Sequence, residues 1–175
     1  MKPFDFCPSC STRLAERGDE DQRTCPSCNR TWYPNSAPTA GAAIFKDGRV
    51  LVTKRGVEPH KGKFDIPGGF LRAGEDVIEG LKRELWEELQ VEVDVSTDDV
   101  LTIVTHTYGE ESDFVLAIGF SARLVSGEVT PGSDVEEAHW ISPSQIDEVE
   151  FAWEHDRELV RRVFENETQE TADTN

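Results

Sequence analysis

The chain has 175 residues, of which 35 are Asp or Glu and 18 are Lys or Arg, so its formal net charge is −17 at pH 7. This negative charge repels polyanions at long range, and we therefore expect no nucleic-acid partner. No apolar run approaches the ~20 residues that span a bilayer, and no secretory leader opens the chain, which predicts a cytoplasmic protein without a membrane partner.

Two Cys-x-x-Cys motifs lie near the N-terminus, Cys7 with Cys10 and Cys25 with Cys28, and they use all four cysteines. Four thiolates at this spacing can close a tetrahedral zinc site with no open position, which is typical of a structural ion. The alternatives are a pair of disulfides or a redox motif, but such closely spaced pairs make poor structural cross-links. We therefore predict a zinc ribbon over residues 1–35 that is stabilised by its metal.

The rest of the pattern predicts one main domain over residues 36–166 and a disordered tail at 167–175, where apolar periodicity stops. The predicted strands are Thr39–Phe45, Arg49–Arg55, Val91–Val95, Val100–His106, Phe114–Val125 and Ala138–Ile141, and the first two are joined by an Asp-Gly turn. The predicted helices are Asp76–Leu89 and Trp153–Glu165, with a short helical turn after Pro143. This order favours an α/β/α sandwich on a mixed sheet.

The helix predicted at Asp76–Leu89 has an acidic edge. Glu84, Glu87 and Glu88 fall on one side because spacings of three and four residues return to the same helix face. The opposite stripe is apolar, with Val77, Ile78, Leu81, Leu85 and Leu89 at helical spacing. Like charges on one face are unfavourable alone, so the arrangement calls for a divalent cation, although three glutamates in isolation would favour a solvated acidic surface. The preceding Pro67-Gly68-Gly69 turn shifts the balance to the cation, because absent side chains let backbone carbonyls approach a ligand.

The stretch from Gly69 to Val91, called the box below, resembles the signature of the Nudix hydrolases. The matching residues are Gly69, Glu75, Arg83, Glu84, Leu85, Glu87, Glu88 and Val91. Gln90 departs from the family's glycine at the end of the helix, a position that commonly has a left-handed backbone. The resemblance implies the sandwich fold and a Mg²⁺ (or Mn²⁺) site built from Glu84, Glu87 and Glu88. It also implies a backbone carbonyl ligand from Gly68 or Gly69.

The resemblance implies a catalytic set of Glu84, Glu87, Glu88, Glu75 and Arg83, the last two bracing the metal ligands. The general base is left open between the box glutamates Glu84 and Glu87 and the loop acids Asp134, Glu136 and Glu137. The expected activity is Mg²⁺-dependent hydrolysis of the diphosphate in a nucleoside diphosphate derivative, releasing AMP.

The ribbon followed by Trp32-Tyr33-Pro34-Asn35 resembles enzymes that cleave ADP-ribose, NADH or FAD. A Ser-Gln-Pro-Trp-Pro-Phe-Pro stretch of the NADH-specific enzymes is absent, so ADP-ribose or FAD is expected ahead of NADH. A non-catalytic module that binds a nucleotide or a protein is the alternative from another class, and nucleoside triphosphate sanitation is a further one. Members of the family are often dimeric, but one sequence does not settle a homodimer.

Several residues outside the box are candidate substrate contacts. Arg55 can grip a phosphate, and Phe64 or Trp32 can stack on a ring, although core packing is the commoner fate of a lone aromatic. The loop acids Asp134 and Glu137 are candidates for the same site. We expect His60 and His106 to make local hydrogen bonds, and Trp86, Trp140 and Trp153 to be core or interface residues.

Overall fold

A computed structural model of the protein describes residues 5–109, 113–132 and 134–173. The cysteine-rich segment folds as a small unit with two short strands, β1 (Arg23–Thr24) and β2 (Thr31–Trp32), which pair antiparallel. Its core is made by Cys7, Leu14 and Cys25 with Trp32 against them. Because this core is small, we expect the segment to need a further cross-link for its stability.

The main unit is built on an eight-stranded mixed sheet, which confirms the predicted sheet type. Five strands run in the order β10-β4-β3-β9-β7, β5 pairs with β4, β6 with β3, and β8 with β9. Strands β3 and β9 are parallel and the other pairs are antiparallel. The strands are β3 (Ala37–Lys46), β4 (Arg49–Arg55), β5 (Phe64–Asp65), β6 (Gly68–Phe70), β7 (Glu92–Asp94), β8 (Val100–Tyr108), β9 (Asp113–Ser126) and β10 (Val135–Ile141).

The two α-helices of the described residues are α1 (Val77–Leu89) and α2 (Glu154–Asp173). The core side chains of α1 pack with Ile44 and Leu51, and those of α2 pack with Val50 and Val52. Neighbouring residues of a strand point to opposite faces of the sheet, so the two helices cover opposite faces. The predicted α/β/α sandwich is therefore confirmed. None of the described helices is long and apolar enough to cross a membrane.

Element boundaries differ from the predictions mainly at the ends. β10 begins at Val135 where the prediction began at Ala138, and the turn after Pro143 is a 3-10 helix over Pro143–Glu148. The prediction of helix Trp153–Glu165 was too short, because α2 continues to Asp173. Residues 167–173 of the predicted disordered tail are therefore helical. The polar composition hid this extension, since the last buried residue of α2 whose burial the structure describes is Phe164.

Gln90 closes α1 in the left-handed conformation expected at that position, with φ 58° and ψ 37°. Its side-chain Nε2 donates to the Trp86 carbonyl at 2.7 Å. We expect Gln90→Gly to stabilise the fold by about 0.5 kcal/mol, because relief of roughly 1 kcal/mol of backbone strain exceeds the loss of one exposed hydrogen bond of about 0.5 kcal/mol. Urea unfolding measures this change. Destabilisation would mean that the hydrogen bond outweighs the strain, and a large rise in hydrolysis would mean that Gln90 impairs the site.

Candidate active site

A cavity of about 300 Å³ opens between the middle of the sheet, the end of α1 and the start of α2. Its size is at the lower end of the range for small-molecule sites in proteins. The residues that line it include acids from α1, from the loop before β10 and from α2, and residues with rings from β6, β8 and the chain around the start of α2. Arg55 and Asp65 also line it. The parallel pairing of β3 with β9 builds its floor.

Glu88 is the most buried acid of α1, with 8% of its surface exposed. The Gly68 N–H donates to its Oε2 at 3.0 Å. Burial raises the pKa of Glu88 well above its usual value, and the neighbouring charges of Asp134, Asp65 and Glu84 raise it further. Among the described residues, no lysine or arginine pairs with it. A buried carboxylate facing other carboxylates suits a divalent cation, since the ion would remove the cost of the clustered charge.

The Gly68-Gly69 backbone lies so close to its neighbours that a side chain at either position would collide with them. A Cβ built on Gly69 would lie 2.7 Å from the Glu84 carboxyl carbon. Gly68 has φ 144°, and a Cβ there would collide with the Ala40 carbonyl oxygen. The glycine pair therefore lets the backbone approach the acidic edge of α1, as its sequence predicts.

Arg83 pairs with three acids of the box, Glu75, Glu84 and Glu87. It binds Glu75 through two hydrogen bonds, Nε to Oε1 at 2.7 Å and Nη2 to Oε2 at 2.8 Å. Its Nη1 donates to Glu84 at 2.6 Å and reaches Glu87 at 3.4 Å. The hydrogen bonds from Arg83 lower the pKa of Glu75 to about 2. This geometry fits the predicted bracing role of Glu75 and Arg83, because Glu75 holds Arg83 in place and Arg83 in turn orients Glu84.

The predicted Mg²⁺ ligands are brought together only in part. Glu84 and Glu88 line the cavity, while Glu87 lies outside its lining and contacts Arg72 and Arg83. Within the described residues, the carboxylates do not form a group of three whose oxygens all lie within 4.8 Å. The two carboxylates that line the cavity fit Mg²⁺, which prefers oxygen ligands and keeps several waters.

Arg55 lines the cavity but is already held by an acid. Its Nη1 donates to Asp65 at 2.6 Å, and both side chains are nearly buried. Asp65 also accepts from the Thr53 hydroxyl at 2.6 Å. Burial raises the pKa of Asp65, and it raises that of Asp156 well above its usual value. Because Asp65 neutralises it, Arg55 attracts a phosphate less than a free arginine would.

The aromatic group was not assigned to the site from the sequence. Trp153 and Tyr108 lie nearly parallel with ring centroids 5.7 Å apart, and the rings of His106 and His155 stand 4.4 Å apart beside them. Trp153, predicted as a core or interface residue, lines the cavity. The alternation of His106 and Tyr108 along a strand was the available signal, since such residues share a face. Trp153 and His155 are too distant in sequence from these two residues for the contacts to be predicted.

The His155 imidazole has a pKa lowered to about 4, first by burial and then by the nearby His106. Its pKa in the unfolded chain is near 6.5, so the unfolded state gains a proton first as the pH falls. We expect the associated stability to be complete above pH 6.5 and to be lost between pH 6.5 and 4. Thermal melting at pH 7 and 5 should therefore show a larger decline for wild type than for His155→Gln. Equal declines would contradict the assignment.

Other predicted residues lie elsewhere. Phe64 packs in the core under α2 and contacts the His139 ring edge-on, and Glu137 binds Lys54 at 2.6 Å, so neither lines the cavity. Asp134 does line it. The predicted substrate roles of Phe64 and Glu137 stay predictions. Trp32 packs against the core of the cysteine-rich segment, and Trp140 packs against the main core. Trp86 lies on the exposed surface of α1, and the His60 ring contacts the Trp153 ring.

The four cysteines form a second candidate site. All four are free cysteines in the structure, which therefore contains neither of the disulfides considered as an alternative. Their Sγ atoms all lie within 4.8 Å of one another, with Cys7 to Cys28 at 3.7 Å and Cys10 to Cys25 at 3.5 Å. A tetrahedron with Zn–S bonds of about 2.3 Å needs sulfurs roughly 3.8 Å apart. Hydrogen bonds with Thr12 lower the pKa of Cys10 to about 6. Against a hydrogen bond with the Arg30 backbone, which lowers it, burial and the neighbouring thiols raise the pKa of Cys28 to about 11, so the fit to zinc rests on the sulfur geometry. The residues fit zinc.

Comparison with known proteins gives a consistent picture. The NUDIX domain family matches residues 35–163. The NAD-capped RNA hydrolase NudC of Chromobacterium violaceum is 30% identical over 138 residues, which cover 77% of this chain and 49% of that protein. The ADP-ribose pyrophosphatase of Methanocaldococcus jannaschii is 30% identical over 119 residues, which cover 68% and 69% of the two chains. The chain thus spans about half the length of the NudC relatives it matches.

Solved structures support the fold. A NUDIX hydrolase from Nitrosomonas europaea aligns with a TM-score of 0.75 and 22% identity over 95% of this chain and 93% of the other. The NUDIX domain of Shewanella oneidensis NrtR, solved with ADP ribose, aligns with a TM-score of 0.63 and 18% identity over 77% and 90%. The family match, which covers most of the chain, and the signature residues around Glu84 and Glu88 agree, and the protein therefore belongs to the Nudix hydrolase family.

Proposed function

We propose that the protein is a Mg²⁺-dependent pyrophosphatase that cleaves the diphosphate of a nucleoside diphosphate derivative, with ADP-ribose or FAD preferred over NADH. The observation that carries this proposal is one cavity lined both by the box acids Glu84 and Glu88 and by a set of aromatic rings. A diphosphate needs an acidic metal-binding region, and an attached nucleoside needs flat apolar surface. The relative named ADP-ribose pyrophosphatase, 30% identical, supports the same substrate class.

Glu84, Glu88 and a backbone carbonyl of the Gly68-Gly69 turn would hold the metal, with Glu87 as a further ligand. When bound, Mg²⁺ would neutralise phosphate charge and activate a water. Arg83 keeps Glu84 oriented toward the cavity through its 2.6 Å hydrogen bond, while Glu75 anchors Arg83 from the other side. This bracing limits the movement of the ligand carboxylates.

Asp134 is the loop acid best placed to take a proton from the attacking water. Asp134 lines the cavity, and among the described residues no cation pairs with it. Glu137 and Glu136 instead face Lys54, at 2.6 and 3.9 Å. A carboxylate already bonded to a cation is a weaker base, so we favour Asp134 over these two. Glu84 is the competing candidate from the box, but Arg83 already binds it.

A second candidate substrate is suggested by the NudC relatives, whose name describes hydrolysis of NAD-capped RNA. The net charge of −17 opposes binding of a long polyanion, so our exclusion of nucleic acid stays a prediction. A capped RNA differs from the free dinucleotide by its chain, and the salt dependence of hydrolysis would reveal any contribution of that chain.

The test is hydrolysis of a substrate panel by the full chain in Mg²⁺, with products separated by chromatography. The panel comprises ADP-ribose, FAD, NADH, NAD-capped RNA and nucleoside triphosphates. AMP released fastest from ADP-ribose or FAD supports the proposal, and preference for NADH or capped RNA replaces the substrate ranking. No turnover of any member by the folded, zinc-loaded protein would favour a non-catalytic binding module.

A further inference from the structure

We propose that Gly56 is a positioning residue for hydrolysis, because it sets where the backbone of Asp134 lies at the cavity. The inference rests on the proposed function, and within it on Asp134 as the group that takes a proton from the attacking water. Gly56 directly follows β4, and Asp134 directly precedes β10, which pairs with β4. The Gly56 N–H donates to the Asp134 carbonyl oxygen at 2.6 Å. Gly56 does not line the cavity, so it would act only through Asp134.

The contact between Gly56 and Asp134 leaves no room for a side chain at position 56. A Cβ built on Gly56 would lie 2.8 Å from the Asp134 carbonyl oxygen and 3.4 Å from its carbonyl carbon. Both atoms belong to the backbone, so a change of side-chain rotamer does not relieve the overlap. Gly56 does not have a positive φ, so its own conformation is open to alanine. A methyl group at position 56 would therefore act by pushing the Asp134 backbone away.

The chain before Asp134 is held by the end of α1. The last carbonyl groups of a helix have no partner within the helix and need donors from elsewhere. The Gly132 N–H donates to the Glu88 carbonyl at 2.8 Å, and the Thr130 N–H donates to the Leu89 carbonyl at 3.0 Å. Glu88 is also the buried box acid that lines the cavity. The segment that carries Asp134 is thus hydrogen-bonded to the backbone of a proposed metal ligand.

A short turn joins these two attachments. The Val135 N–H donates to the Gly132 carbonyl at 3.1 Å, and Val135 pairs with Arg55 across the sheet. Asp134 therefore lies between an attachment to α1 and an attachment to the end of β4. A base must come within about 2.6–3.2 Å of the proton that it takes, and a displacement of about 1 Å can cost on the order of 10²-fold in rate. The two attachments supply this accuracy.

The charges around Asp134 oppose its position. Burial raises the pKa of both Glu88 and Asp65, and the negative charge of Asp134 raises both further. The guanidinium of Arg55 lies nearby but pairs with Asp65, and among the described residues no cation pairs with Asp134. Like charges repel, so an unrestrained Asp134 would move away from the other carboxylates. The backbone hydrogen bonds from Gly56 and Gly132 work against this repulsion.

The purely structural alternative is that Gly56 only closes the gap between β4 and the chain before β10. An alanine at position 56 would then disturb the fold, and the rate would fall by the same factor whether or not residue 134 carries a carboxylate. The positioning role predicts instead that the effect of the alanine depends on that carboxylate. The two explanations therefore differ in a double-mutant cycle.

The experiment measures kcat and KM of the full chain in Mg²⁺ for wild type, Gly56→Ala, Asp134→Asn and the double variant. The substrate is the member of the panel that wild type hydrolyses fastest. We expect Asp134→Asn to lower kcat by about 10²-fold and Gly56→Ala by about tenfold, with KM within about twofold of wild type. The double variant should be no slower than Asp134→Asn alone. Val57→Ala, at the exposed next position, is the control and should stay within about twofold of wild type.

Asp134→Glu tests the same attachments without a change at position 56. The glutamate keeps the charge but extends the side chain by one methylene, about 1.5 Å. Because the backbone is held on both sides, it does not retreat to compensate, and we expect kcat to fall at least tenfold. This variant answers the question even if Gly56→Ala does not fold.

Equal losses from Gly56→Ala with and without the Asp134 carboxylate would overturn the positioning role. Wild-type activity of Asp134→Glu would show that the backbone adjusts, and it would overturn the role as well. Wild-type activity of Asp134→Asn would remove Asp134 as the base, and the inference with it, while the pyrophosphatase assignment would stand. Absence of turnover by wild type of every panel member is the separate result that removes the proposed function itself.

Discussion

Glu88→Gln is expected to lower the Mg²⁺-dependent hydrolysis rate by roughly 10³-fold, because a metal ligand carries several kcal/mol of transition-state charge stabilisation. The glutamine keeps the shape of the side chain and an oxygen that can accept from the Gly68 N–H, which lies 3.0 Å from Glu88 Oε2. The loss would therefore reflect charge. Initial rates over a range of Mg²⁺ concentrations measure it, and the half-saturating concentration should also rise.

The matched control is Glu79→Gln, which removes one negative charge from the exposed first turn of the same helix. It should leave the rate within about twofold of wild type, since surface substitutions are close to neutral. If Glu88→Gln were as active as this control, the buried carboxylate would not hold the metal. Glu87→Gln in the same series tests the half-exposed acid, which the structure places against two arginines and outside the cavity lining.

Removal of zinc is expected to unfold the cysteine-rich segment while the main domain keeps its melting transition. The segment's core consists of three buried residues and the partly buried Trp32, separate from the two larger core clusters. Structural zinc in small domains contributes an apparent 10–16 kcal/mol or so at neutral pH, which such a core cannot replace. Metal analysis should find one zinc per chain, and chelation should shift the fluorescence of Trp32, identified by comparison with Trp32→Phe.

Cys28→Ser should abolish zinc retention, and Ser27→Ala, a change at the neighbouring exposed position, should preserve it. Well under one zinc per chain in protein purified without chelator would refute the site. A Trp32 signal that does not respond to chelation would show that the segment folds without the metal.

The elements that the sequence predicted well are those whose signals are local. The start of α1 follows Asp76, whose carboxylate accepts from the N–H groups of Ile78 and Glu79, and the helix ends at the left-handed Gln90. The hairpin between β3 and β4 is also a local feature, set by its Asp-Gly turn. The end of α2 was missed because its last turns are polar in sequence and carry no apolar periodicity.

For the site, the sequence by itself determined the acidic motif and the cysteine motif that we predict to bind metals, because the residues of each repeat at spacings that one helix or two Cys-x-x-Cys turns bring together. Only the tertiary structure decided which acids face a common cavity and what surrounds them. Asp65, Asp134 and Trp153 come from β5, the loop before β10 and the residue before α2, and the mixed sheet joins them across long sequence separations. The pairing of Arg55 with Asp65 was likewise invisible, since its strength depends on burial that a sequence does not display.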